Sequence, residues 1–147
     1  VEREIDKIEY ILSNYGRARA KAYNLKTVSN NMQFSLRAKV AVGGIGDSSK
    51  SDSDQELYLN KKEEYKEKGE ILLENVKSIK ESVDSLPKRQ RIVVKLKYFE
   101  DLEYHLIGAK VDRDERTVKR IKKDAIAELV EGKLYMIYPQ FKEILED

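Results

Sequence analysis

Between Tyr65 and Leu86 the residues Tyr65, Gly69, Leu72, Val76, Ile79, Val83 and Leu86 follow one another at alternating steps of four and three. That spacing collects them on one face of an α-helix and is incompatible with a strand, whose side chains alternate with a period of two. Such a seam must be buried, and two partners suffice: another helix of the same chain, or a second copy in a coiled-coil homodimer. The seam is about three heptads long and Gly69 weakens its start, which favours packing within the chain.

The rest of the sequence agrees with an all-α fold. Two prolines, no tryptophan and 38% charged residues describe helices joined by polar segments rather than a sandwich or barrel. Ile5, Ile8, Ile11, Leu12 and Tyr15 form a second apolar stripe, which predicts a first helix over residues 2 to about 23, loosened at Gly16. Residues 1–42 form an N-terminal helical region. The Gly, Ser and Asp of "GGIGDSSKSDSDQ", residues 43–55, bury too little apolar surface to offset ordering entropy, so this segment reads as a flexible linker. Residues 56–86 read as a long acidic amphipathic helix, 87–131 as a separate helical module, and 132–147 as a C-terminal helical tail.

Several function classes are excluded on chemistry. Without cysteine there is no disulfide framework, thiol nucleophile or Cys-ligated zinc, which fits the cytoplasm. The sequence has no apolar run of about 20 residues and no secretory leader pattern, so no membrane partner is expected. The single histidine, His105, has no visible partner for a triad or metal site. "GGIG" lacks the flanking strand and helix of a nucleotide loop. No catalytic residue, metal site, cofactor or small-molecule ligand is expected, and the chain reads as a binding protein rather than an enzyme.

Charge is segregated along the chain. Residues 87–123 hold twelve Lys/Arg against six Asp/Glu, whereas 54–86 hold six against nine and 124–147 hold two against six. A basic block between acidic blocks points to a localised polyanion surface. Within it, Pro87 fits the first turn of a helix whose apolar stripe is Ile92, Val93, Leu96 and Phe99. A short helix follows over residues 103–110, burying Leu106 or Ile107 and offering Gly108 for close packing. Asp112 suits a left-handed turn, and Asp114 is placed to N-cap a last helix with Val118, Ile121, Ala125 or Ile126, and Leu129 inward. A short helix, a tight turn and a longer basic helix make a helix-turn-helix.

The stretch "LPKRQRIVVKLKYFEDLEYHLIGAKVDRDERTVKRIKKDAIAEL" resembles region 4 of bacterial sigma factors, which binds the upstream promoter hexamer. Here Asp112 stands where such motifs often carry glycine, Arg113 where they place a small apolar residue, and Leu106 where an acid is common. The chain has no sigma region 2. With its small size and acidic helix feeding "SLPKRQR", the whole resembles phage late-gene transcriptional regulators of the ArpU and RinA type. That resemblance implies prophage genes of a Gram-positive bacterium, double-stranded DNA as partner, and transcription activation, with RNA polymerase as a second partner.

The base-reading candidates are Arg116, Thr117, Lys119, Arg120 and Lys123, exposed near the start of the last helix, where Arg or Lys can donate to guanine O6 and N7. Phosphate candidates are Lys88, Arg89, Arg91, Lys97 and Arg113. Two rival readings use the same module: a phage small terminase subunit that marks packaging DNA, and an interaction protein that binds polymerase or a sigma factor.

Overall fold

The computed structural model describes residues 3–42 and 52–147, with the side chains of 3–32 and 55–147. Seven α-helices run through the described residues: α1 Glu4–Ser13, α2 Tyr15–Val42, α3 Asp52–Asp84, α4 Lys88–Val94, α5 Tyr104–Val111, α6 Glu115–Glu131 and α7 Tyr138–Glu146. A π turn, Lys95–Phe99, continues α4, and a 3-10 turn, Leu134–Ile137, precedes α7. No strand occurs among them. Of the expected linker, residues 52–55 belong to α3, which begins four residues earlier than the helical reading from Glu56; residues 43–51 lie outside the described residues.

The chain divides into two compact units, residues 19–73 and residues 1–18 with 74–147. In the first, α2 and α3 lie side by side. Gly69 lets them approach closely, since a Cβ there would sit 3.3 Å from Leu25 Cβ. Tyr58 donates its hydroxyl proton to the Met32 carbonyl at 2.8 Å, and Ser29 donates to the Lys62 carbonyl at 3.4 Å. The seam residues Leu72, Val76, Ile79, Val83 and Leu86 are all buried within the single chain, so the intrachain alternative holds for this conformation.

The second unit is organised around α6, which packs against α1, α4, α5 and the 3-10 turn. Its stripe of Val118, Ile121, Ala125, Ile126 and Leu129 is buried as expected. Each fully buried Val, Leu or Ile contributes about 1.5–3 kcal/mol. Ile8, Ile11 and Leu12 of α1 are fully buried, but Ile5 is exposed. The first helix also breaks earlier than expected. Asn14, not Gly16, interrupts it: the Asn14 side-chain amide donates to the Tyr10 carbonyl at 2.9 Å, and such local bonds compete with continued helix. At the C-terminal end Tyr138 and Phe141 are buried as expected, Tyr135 and Ile137 only half so. Tyr10 meets both buried rings edge-on, at 5.5 and 6.2 Å between centroids, and donates its hydroxyl proton to Glu146 at 2.9 Å.

Two departures concern α4. Pro87 is the residue before the helix rather than its first turn, with φ −51° and ψ 145°. The buried positions are Val93, Val94 and Leu96, while Ile92 stays partly exposed. Ile92 lines a surface groove with Lys88 and Arg89 instead, and the π turn at Lys95–Phe99 begins only after Val94. It ends with Glu100 N–H donating to the Lys95 carbonyl at 3.0 Å, and it presents Phe99 to stack on Tyr15 at 4.2 Å.

The approach of α5 to α6 rests on Gly108. A Cβ at that position would lie 2.5 Å from the Arg113 carbonyl oxygen, a backbone atom that can yield only if the turn moves. Gly108→Ala should therefore destabilise the protein by about 1–2 kcal/mol net, because overpacking outweighs alanine's better helix propensity. Urea unfolding should show a lower midpoint at unchanged slope.

Candidate nucleic-acid interface

The turn between α5 and α6 is built by three local interactions. Asp112 adopts the left-handed conformation, φ 56° and ψ 51°, as its side-chain type allows. Arg113 N–H donates to the Gly108 carbonyl at 3.0 Å, closing the end of α5. Asp114 then caps α6, accepting from Thr117 N–H at 3.0 Å. The Thr117 side chain and backbone N–H, both turned to the Asp114 carboxylate, hold its pKa below the ordinary value. Ile107 is fully buried and packs with Val93, Leu96, Val118 and Ile121, while Leu106 is exposed.

This turn fixes which side chains α6 presents. At about 100° per residue, Arg116, Arg120 and Lys123 fall on one outward face, opposite the buried stripe, and all three are exposed. Thr117 is half-buried and committed to the cap, so it serves the turn rather than the outward face. Lys119 leans to one flank, where its ammonium lies 5.2 Å from the centroid of the Tyr104 ring.

Tyr104 gathers three lysines. Lys97 Nζ lies 4.3 Å and Lys122 Nζ 5.9 Å from the same centroid. Lys122 is the inner member of the set, reaching Glu9 of α1 at 3.5 Å. Burial alone would lower its pKa, but the bond with the Tyr104 hydroxyl and the nearby negative charge outweigh that, and the net shift is upward. Burial also pushes the neighbouring Tyr98 hydroxyl up to about 12. Lys122 is therefore a charged strut between α6 and α1. Sequence spacing gave no sign of this hub, because Tyr104 and Glu9 are 95 residues apart.

The opposite flank of α6 carries a groove of about 560 Å³ lined by Lys88, Arg89, Ile92, Lys110, Val111, Arg113 and Ile121. The phosphate candidates Lys88, Arg89 and Arg113 come together here, joined by Lys110, whose position beside them no local spacing signals. Arg91 does not join them. Its guanidinium donates to the Asp84 carbonyl at 3.3 Å, and Lys95 pairs with the Asp84 carboxylate at 2.8 Å, holding that carboxyl below the usual range. Arg91 within α4 and Lys95 at the start of the π turn thus both hold on to the end of α3.

Against known proteins, residues 4–131 match the model of a family described as "Protein of unknown function (DUF722)". The chain belongs to that family. No curated protein and no solved structure matches it. The span shared with DUF722 begins with α1 and ends at Glu131, the last residue of α6. It contains every residue of the outward face and both flanks, and leaves the 3-10 turn and α7 outside. Among the described residues, no group of three or more His, Asp or Glu is placed to hold a metal ion, and no helix is long and apolar enough to cross a membrane. His105 is exposed, with Nδ1 3.3 Å from Glu103.

The cap gives a pH-dependent test. The folded-state pKa of Asp114 lies below its ordinary 3.8, so its contribution to stability is full above that value and is lost as pH falls through the lower folded value. Asp114→Ala should unfold at lower urea than the parent at pH 7, and the gap should close as the pH is taken below 3.8.

Proposed function

We propose that the chain is a sequence-specific regulator of transcription that binds double-stranded DNA, with α5 and α6 acting as a helix-turn-helix of the sigma region 4 kind. The observation that carries this reading is the distribution of cations around α6. Arg116, Arg120 and Lys123 point outward from its first turns, Lys97 and Lys119 stand on one flank, and Lys88, Arg89, Lys110 and Arg113 on the other. A helix lying in the major groove meets base edges in front and a phosphate backbone on either side. A merely solvated charged helix has no need of cations drawn from α4, α5 and the intervening turns to border it.

In this mechanism Arg116 and Arg120 donate to base edges, Lys123 extends the same face, and the groove residues set register through phosphates. The function is binding, without catalytic chemistry or a cofactor. The resemblance to ArpU and RinA regulators implies a prophage gene product of the bacterial cytoplasm that activates late genes, with RNA polymerase as a second partner.

Selection of genomic fragments with purified protein at about 150 mM salt, where nonspecific phosphate binding is already weak, should return one or a few sites sharing a motif. Recovery of background alone, together with tight capture of polymerase, would replace this reading with that of an interaction protein; large closed rings in light scattering would favour a small terminase subunit. On a selected site, Arg120→Ala should cost roughly 1–3 kcal/mol and much less on random duplex. Lys88→Ala should weaken all duplexes alike and flatten the salt dependence of binding by about one unit.

A further inference from the structure

Two of the three ammonium groups around Tyr104 are electrostatically unfinished. Lys122 has Glu9 at 3.5 Å, whereas among the described residues neither Lys97 nor Lys119 has a carboxylate within ion-pair distance. Their ammonium groups nevertheless lie 4.3 and 5.2 Å from one ring centroid. The quadrupole of a single tyrosine attracts each cation weakly at an exposed site and leaves their mutual repulsion in place. A compact anion held between them removes that repulsion.

Each side chain reaches this point for a separate structural reason. Lys97 sits within the π turn, whose wider winding sets its direction. Lys119 lies three residues before the strut Lys122, on the same side of α6. Tyr104 opens α5 and packs, partly buried, against the core cluster of Val93, Leu96, Ile107, Val118 and Ile121, so the platform is anchored on the core. The anchored ring restrains two otherwise mobile lysine side chains, which lowers the entropy lost when an anion arrives.

We propose that Lys97 and Lys119, held on the Tyr104 ring, form a clamp for a single phosphodiester of the DNA backbone bordering α6. This rests on the DNA-binding reading and deepens it, because it moves Lys119 from base reading to phosphate contact. The clamp contributes affinity and register without sequence preference.

The test uses the full chain and a fluorescently labelled random-sequence duplex, with binding followed by anisotropy over a range of salt concentrations. Neutralising one phosphate contributes about 0.9 to the slope of log affinity against log salt. Two lysines on one phosphate therefore predict that Lys97→Ala and Lys119→Ala each flatten the slope by less than a unit, and that the double variant flattens it by about one. Thermal melts matching the parent serve as the control, with glutamine replacing alanine where they do not. An unchanged slope in the double variant overturns the clamp, as does a fall of about two units, which would mean two separate phosphates. A loss by Lys119→Ala confined to a selected site returns that residue to base reading. If the parent chain binds no duplex at all, the DNA reading falls and the clamp with it, an outcome distinct from variants that bind with the parent's slope.

Discussion

The buried stripe of α6 is the constraint on which the second unit depends. Val118, Ile121, Ala125, Ile126 and Leu129 give α1, α4, α5 and the 3-10 turn a common surface to pack against. Because one side of α6 is spent on that core, only the other can meet a partner. The Gly108 contact and the left-handed Asp112 then determine the angle at which α6 leaves α5. The orientation of Arg116 and Arg120 is thus inherited from apolar packing and one backbone turn rather than from their own interactions.

Much of this was legible in the sequence where a local rule decides the outcome. The four-three seam of α3, the inward residues of α6, the left-handed Asp112 and the Asp114 cap each depend on residues a few positions apart, and each appears as expected. What escaped depends on longer range or on a broken period. Asn14 ends α1 through its own side chain, a competition that apolar spacing does not register. In α4 the apolar spacing predicts Ile92 in the core, whereas Val94 is buried and Ile92 lines a groove beside Lys88, a choice between adjacent apolar positions that spacing alone does not make. Of the candidate site, Arg116, Arg120 and Lys123 share the expected face, but Thr117 is occupied by the cap and Arg91 by Asp84. Tyr104 was silent because its importance comes from side chains supplied by three other segments.

The basic side chains of the module divide into those that hold the fold and those that remain available. Arg91 and Lys95 tie α4 to Asp84, and Lys122 ties α6 to Glu9. These three contribute to the net positive charge of residues 87–123 without facing a ligand. A count of Lys and Arg therefore overstates the basic charge this segment leaves available, and the distribution of that charge over two flanks and one outward face is the more informative quantity.

The π turn carries a consequence for chain length. A π turn holds one residue more than the α-helical turn it replaces. A chain one residue shorter between Lys95 and Phe99 would wind as plain α-helix and keep its composition almost intact. An α turn completes nearly the same rotation with one residue fewer, so the chain beyond would keep close to its present phase, and the change would fall on the side chains inside the turn, Lys97 and Phe99 among them. Within these five residues the extra residue changes where individual side chains point and leaves the course of the chain beyond almost untouched.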